Sequence, residues 1–259
     1  MPDINQDLDV AVYSHKVFPF PRPSSWLRPL LSGDGTLPLT DLRRDDTGDA
    51  IAHLGKYYSE LTGLYWLWKN RTGVRRIGFY HYRRYLNLLP TTPQSPEIQM
   101  MPTDHALGFL ASDQQKERID RLLDVHDVIV PQGHFLPYSI EEQYLLHHGR
   151  EVWDRFWELT FALYPEYATH RDFLKISNKF HFFNIFIAGR GFLDFYAEQL
   201  FRILDLLVRE IGFLAPQPSG TRYQEYRYPG YLSERFFTYF LFANRVRAHE
   251  AQLVIFHGS

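Results

Sequence analysis

Along this chain, short unbroken apolar runs alternate with longer segments whose apolar residues recur every three or four positions. Residues 9–14 (DVAVYS) are such a run and predict a buried strand, followed by a polar turn at His15 and Lys16. A Pro-rich loop is expected over 19–29, and 32–49 reads as loop, ending in the acidic stretch Asp45, Asp46, Thr47, Gly48, Asp49. Over 56–70, Tyr58, Leu61, Leu64, Tyr65 and Trp68 share one helical face, with Gly73 placed to close that helix. Residues 75–80 (RRIGFY) predict a second strand, and 90–102 a Pro/Thr/Gln loop.

Further on, 114–123 predicts a helix and 127–131 (DVIVP) a strand. Ser139 followed by Glu142 is a capping-box start to another helix. A helix through 153–163 is broken at Pro165; 181–188 (HFFNIFIA) is the most strand-like segment; 192–211 and 231–244 predict helices. Strands alternating with helices predict an α/β fold, a mostly parallel central sheet flanked by helices, as one domain over 1–259.

Composition narrows the functional classes. Hydrophobic residues make up 45% of the chain, enough for a large core. The net charge of -2 lacks the basic excess of a nucleic-acid-binding surface, so no nucleic-acid partner is expected. The absence of cysteine removes thiolate zinc sites, disulfides and cysteine nucleophiles. No secretory signal or membrane-spanning run is visible, so the expected location is cytoplasmic, with at most peripheral contact at the inner membrane face. Aromatics reach 17%; most suit a Phe-rich core, and a minority beside Arg and His suit stacking on a sugar or base.

Four clusters can carry chemistry. In IGFYHYRRYLN (77–87) a strand ends and delivers His81, Tyr82, Arg83 and Arg84. Ligands of open α/β sheets lie beyond such strand ends, and paired guanidiniums suit a diphosphate; a carboxylate partner for one and solvent for the other is the competing account. The acidic loop, with Asp46 and Asp49, can bind a metal, a ribose hydroxyl or nothing, and precedes a helix carrying Glu60 and Thr62. Asn184 is polar within an apolar run, so it is satisfied by backbone in the core or faces a ligand. In RYPGYLSERFF (227–237), Glu234 and Arg235 sit one turn into a helix, as a base with its neighbour or as a surface ion pair. No P-loop, dinucleotide, nucleophile-elbow or kinase signature occurs.

Taken in order, YSHK (13–16), DDTGD, YYSELTGLYWLWKN (57–70), IGFYHYRRY, DVIVP, PEY (165–167), FNIFI (183–187) and GYLSER (230–235) make the chain resemble the bacterial galactofuranosyltransferase family first catalogued as a domain of unknown function. The resemblance covers nearly the whole chain. It departs at Ala50, Ile51, Ala52, His53, Leu54 and Gly55, which replace a polar stretch.

The resemblance implies the fold of A-type nucleotide-sugar glycosyltransferases and inverting transfer from a UDP-sugar donor, UDP-galactofuranose first. The acceptor would be a glycan or lipid-linked oligosaccharide in capsule, O-antigen or exopolysaccharide synthesis. The alternatives are transfer from another nucleotide-sugar, or non-catalytic glycan or nucleotide binding. Arg83 and Arg84 stand where related folds carry metal-binding carboxylates, so no metal cofactor is expected to be required, with Mg or Mn recruited only through the acidic loop. The substrate-binding set is His15, Asp46, Asp49, Glu60, Thr62, His81, Tyr82, Arg83, Arg84, Asn184 and Arg235. Among Glu234, Glu60 and the acidic loop, Glu234 is assigned as the general base.

Overall fold

The computed structural model describes residues 7–21, 24–33, 42–90, 95–214 and 225–257. The strands are β1 (Leu8–Ser14), β2 (Leu27–Leu31), β3 (Arg43–Arg44), β4 (Arg76–His81), β5 (Arg84–Asn87) and β6 (Glu97–Met100). They continue with β7 (Val128–Pro131), β8 (His134–Phe135), β9 (Lys179–Phe180), β10 (Phe186–Gly189) and β11 (Ala248–Phe256). The helices are α1 (Gly55–Tyr58), α2 (Leu61–Asn70), α3 (Asp104–Leu110), α4 (Asp113–Leu123) and α5 (Ile140–Leu145). After them come α6 (Arg150–Leu163), α7 (Phe173–Ile176), α8 (Arg190–Ile211) and α9 (Tyr228–Ala243). None of the described helices is long and apolar enough to cross a membrane.

Among the described residues, nine strands form one sheet, while β8 and β9 make a separate ribbon. The run β3-β2-β1-β4 is parallel. β10 then lies antiparallel between β4 and β7, β7 is parallel to β11, and β11 pairs with β6 in parallel and β5 in antiparallel. The sheet is therefore mixed, correcting the expectation of a mostly parallel one. The β4–β5 pair is antiparallel because only Tyr82 and Arg83 separate the two strands, too few for a crossover.

Strand alternation divides the core between the two faces of the sheet. Ala11, Tyr13, Ile77 and Phe79 pack with α2, α6, α8 and α9, as in the ring contacts of Phe186, Tyr196, Phe237 and Phe240. Val10, Val12 and Tyr80 pack on the other face with Leu107, Leu110, Ile119 and Leu122 of α3 and α4. Helices on both faces agree with the sequence pattern. So does the capping box at Ser139, where both reciprocal hydrogen bonds form.

Four local expectations change. β2 occupies the end of the Pro-rich loop; β3 pairs only with Leu30 and Leu31, so Pro29 lies where β2 is still an edge. β6 lies within the expected loop over 90–102, of which 91–94 is outside the described residues. The helix expected over 56–70 breaks at Ser59, whose φ is 53°, and restarts as α2, which ends at Asn70 before Gly73. The strand expected over 181–188 begins only at Phe186: Phe183 takes a φ of 69° and turns the chain off the sheet.

Candidate functional site

At the carboxyl ends of β1 and β4 and the start of β5, Tyr13 pairs across from His81, and His81 across from Arg84. Three side-chain-bearing positions thus form a row where the parallel strands stop. Two adjoining cavities open here. One of about 390 Å³ is lined by Tyr13, His15, Ser32, Lys56, His81 and Tyr226, among others. The second, about 200 Å³, is lined by Arg84, Phe183, Gly230, Tyr231 and Glu234. Ser59, Glu60 and Arg227 border both. A cavity of about 720 Å³ elsewhere is larger, but among the described residues the charged side chains on its wall are Asp104 and Asp113.

Backbone strain concentrates at this cleft. Among the described residues, Ser59, Phe183 and Arg245 are the non-glycine positions with left-handed φ, and the first two line the smaller cavity. Such conformations cost free energy and persist where surrounding bonds impose them. At Phe183 the N–H donates to Glu234 Oε1 at 2.9 Å. Next to it, Asn184 donates to Glu60 Oε1 at 3.0 Å and accepts from Ser233 Oγ at 2.9 Å. The bend therefore ties Glu60, on the α1–α2 break, to the first turns of α9.

Burial pushes Glu234 up to about 7; Arg235 opposes this, Glu60 adds to it, and the Phe183 amide opposes it. With its side chain 14% exposed, Glu234 is mostly desolvated yet open to the cavity. Arg235 Nη1 lies 3.0 Å from Glu234 Oε2 and also donates to the Tyr231 carbonyl, while Nη2 donates to Gln143. Glu60 caps nothing at the start of α2 and instead accepts from Asn184. Burial lowers the Arg84 guanidinium, and the Glu60 and Glu234 charges pull it back. It stacks 4.0 Å over the Phe183 ring.

His81 is held neutral. Its pKa is lowered to about 2, by burial first and then by Arg84 and Arg83. The Arg83 N–H donates to His81 Nδ1 at 3.4 Å, which leaves the proton of the neutral ring on Nε2. The cleft thus combines a neutral imidazole, three cations in Lys56, Arg84 and Arg227, and two carboxylates.

The sequence candidates distribute as follows. His15, Glu60, His81, Arg84 and Glu234 line the cleft. Tyr82 and Arg83 line neither cavity: they form the turn between β4 and β5, with Tyr82 buried and Arg83 5.3 Å from its ring. The expected pair of adjacent guanidiniums is therefore one, because Arg83 sits in the turn whereas Arg84 opens β5. Arg235 is 3% exposed and supports Glu234 from behind. Asn184 is 4% exposed and bridges Glu60 to Ser233, so neither account read from sequence is complete.

The remaining candidates stabilise the approach to the cleft. Thr62 is fully buried and lies 2.6 Å from Asp45 Oδ2. Asp46 pairs with Arg44 at 3.1 Å. Asp49 accepts from the Tyr65 hydroxyl at 3.0 Å, and its backbone is clamped by Asn70. Among the described residues no three His, Asp or Glu side chains gather as a metal would require. Sequence reading missed Tyr13, Lys56, Ser59, Phe183, Arg227 and Tyr231 as lining residues. The available signals were the end of β1 at Tyr13 and the Arg-Tyr-Pro entry to α9; nothing in the pattern marked the bends at Ser59 and Phe183.

Comparison with known proteins bears on fold and family. The family described as a domain of unknown function (DUF4422) matches residues 9–245. Among solved structures, the apo structure of WbbM, a bifunctional glycosyltransferase, is similar with a TM-score of 0.82 and 22% identity, over 98% of this chain. The match spans 46% of that chain, so this protein corresponds to about half of it, and the likeness is one of fold. No curated protein matches the chain.

Proposed function

The chain belongs to the DUF4422 family, and from that premise we propose that it is a glycosyltransferase moving a sugar from a nucleotide diphosphate to a glycan hydroxyl. The observation that carries this reading is the meeting, in one strand-end cleft, of a desolvated carboxylate tuned to about 7 and a buried guanidinium facing it across the cavity. The fold shared with WbbM supports it.

In this reading the larger cavity holds the nucleoside and the smaller one the transferred sugar. The diphosphate lies between them, by Arg227, Lys56 and Arg84. As the acceptor oxygen bonds to the anomeric carbon from the side opposite the leaving group, Glu234 takes the hydroxyl proton. The electron pair of the breaking carbon–oxygen bond passes to the terminal phosphate oxygen, where the cations neutralise it and His81 Nε2–H supplies a neutral donor. The product is inverted at that carbon. Arg235 and the Phe183 amide hold Glu234 in place without removing its basicity.

The sequence resemblance supports UDP-galactofuranose as the donor and a glycan or lipid-linked oligosaccharide of capsule, O-antigen or exopolysaccharide synthesis as the acceptor. Any membrane contact in this reading is peripheral. Cations in the place of metal-binding carboxylates support transfer without a required metal; activity lost in EDTA and restored by Mn²⁺ would contradict that part. Incubating the protein with a panel of UDP-sugars and a synthetic lipid-linked acceptor tests the whole. Turnover with one donor is expected, and neither turnover nor UDP binding across the panel would remove the enzyme reading.

A further inference from the structure

The acidic loop contains one carboxylate unlike its neighbours. Asp45 is 0% exposed, whereas the Asp46 side chain is 38% exposed. Buried carboxylates survive only where hydrogen bonds replace water. Three segments supply them. Oδ1 accepts the Gly33 N–H at 2.7 Å, at the exit from β2. Oδ2 accepts from Thr62 Oγ1 at 2.6 Å and from the Tyr13 hydroxyl at 3.3 Å. Thr62 Oγ1 in turn lies 3.0 Å from the Tyr13 hydroxyl and 3.1 Å from the Ser59 carbonyl.

These partners connect to the walls of the larger cavity. Tyr13 lines it directly, Gly33 follows the lining Ser32 in sequence, and Thr62 bonds the carbonyl of the lining Ser59. Packing reinforces the arrangement: a Cβ on Gly63 would meet the Tyr13 ring at 2.4 Å, so α2 presses directly against it. Burial raises the pKa of Asp45, with the Thr62, Gly33 and Tyr13 hydrogen bonds opposing it.

We infer that Asp45 is a positioning residue for the nucleotide half of the cleft: through Gly33, Tyr13 and Thr62 it fixes three walls of the larger cavity without touching the ligand. The inference rests on the reading of that cavity as the nucleoside site. It separates Asp45 from Asp46 and Asp49, whose carboxylates bond only to Arg44 and Tyr65 among the described residues. It also makes Thr62 an intermediary, linking the carboxylate to the bend at Ser59.

Calorimetric titration of UDP into the full chain tests it, alongside donor kinetics. Asp45→Ala takes the acceptor from the Gly33 N–H and removes the carboxylate that Thr62 and Tyr13 share, and should weaken UDP binding about 10- to 100-fold. Turnover at saturating donor and its dependence on pH should be unchanged, because Glu234 is untouched. Asp45→Asn keeps an acceptor for Gly33 and lets both hydroxyls rotate to accept, so it should restore most of the affinity. A folded Asp45→Ala protein that binds UDP as the wild type does, or that loses turnover with donor affinity intact, overturns the inference. Should Asp45→Ala not fold, Thr62→Val reports on the same network: weaker UDP binding supports the inference and unchanged binding overturns it. A wild-type protein that binds no UDP removes the nucleotide reading itself, an outcome seen before any variant is made.

Discussion

The two ends of β1 treat charge in opposite ways. At its start, the fully buried Asp9 carboxylate meets Arg28 at 3.1 Å and Arg43 and Arg71 at 2.7 Å each. Alongside, Arg76 at the start of β4 meets Asp7, Asp120 and Asp124 within 3.2 Å. Burial lowers Arg43 to about 10, with Asp9 working against it, and every partner there is another part of the protein. At the carboxyl end of the same sheet, Arg84 faces Glu60 and Glu234 across a cavity with a stacked ring beneath it. Both ends set arginine guanidiniums against carboxylates. The difference is that one neutralises its charge internally and the other leaves charge aimed at space, which costs stability unless a ligand completes it.

If that contrast is right, substitutions at the two ends fail differently. The largest effect is expected from Glu234→Gln, which keeps the shape while removing basicity and should lower kcat about 10²–10⁴-fold with UDP binding little changed. The base acts ionised, so wild-type kcat/KM should rise with pH through about 7 and level off above it, and the variant should lose that limb. Normal turnover in Glu234→Gln beside a dead Glu60→Gln would move the base to Glu60.

Asp9→Ala should do the reverse. Removing the carboxylate from three arginines should destabilise the fold by about 3–5 kcal/mol in urea unfolding. The fraction still folded should retain its kcat; a selective loss of activity would erase the contrast. Arg84→Ala comes next, with kcat reduced about 10²–10³-fold and thermal stability held or raised, since a desolvated charge is removed. Asn70→Ala, which unclamps the Asp49 loop, is the smallest: about 1 kcal/mol by thermal unfolding and little change in rate.

How much of this was legible follows from the range of the interactions involved. β1, β4, β7 and α8 announce themselves because period and burial coincide over whole segments. β11 escaped because its first half, from Ala248 to Gln252, mixes polar and apolar residues and pairs on both sides only in the folded chain. His181 to Phe183 looked like strand because bends at apolar residues carry no local mark; the turn is imposed by Glu234, about fifty residues away in sequence. For the site, Glu234, Glu60, His81 and Arg84 could be nominated by residue type near strand and helix ends. Their neighbours could not: whether Arg83 or Arg84 faces the cleft depends on the β4–β5 turn, and which aspartate of the acidic loop is buried depends on Gly33, Tyr13 and Thr62.

The most direct test of the contrast between the two ends is a crystal structure of the full chain with UDP. The account predicts the uridine between Tyr13, Ser32 and Ser59, and the diphosphate by Lys56, Arg227 and Arg84, with Glu234 facing the free terminal phosphate. It predicts no change in the arginines around Asp9. Nucleotide bound against that arginine cluster, or in the cavity beside α3, with the β1–β4 cleft empty, would contradict it.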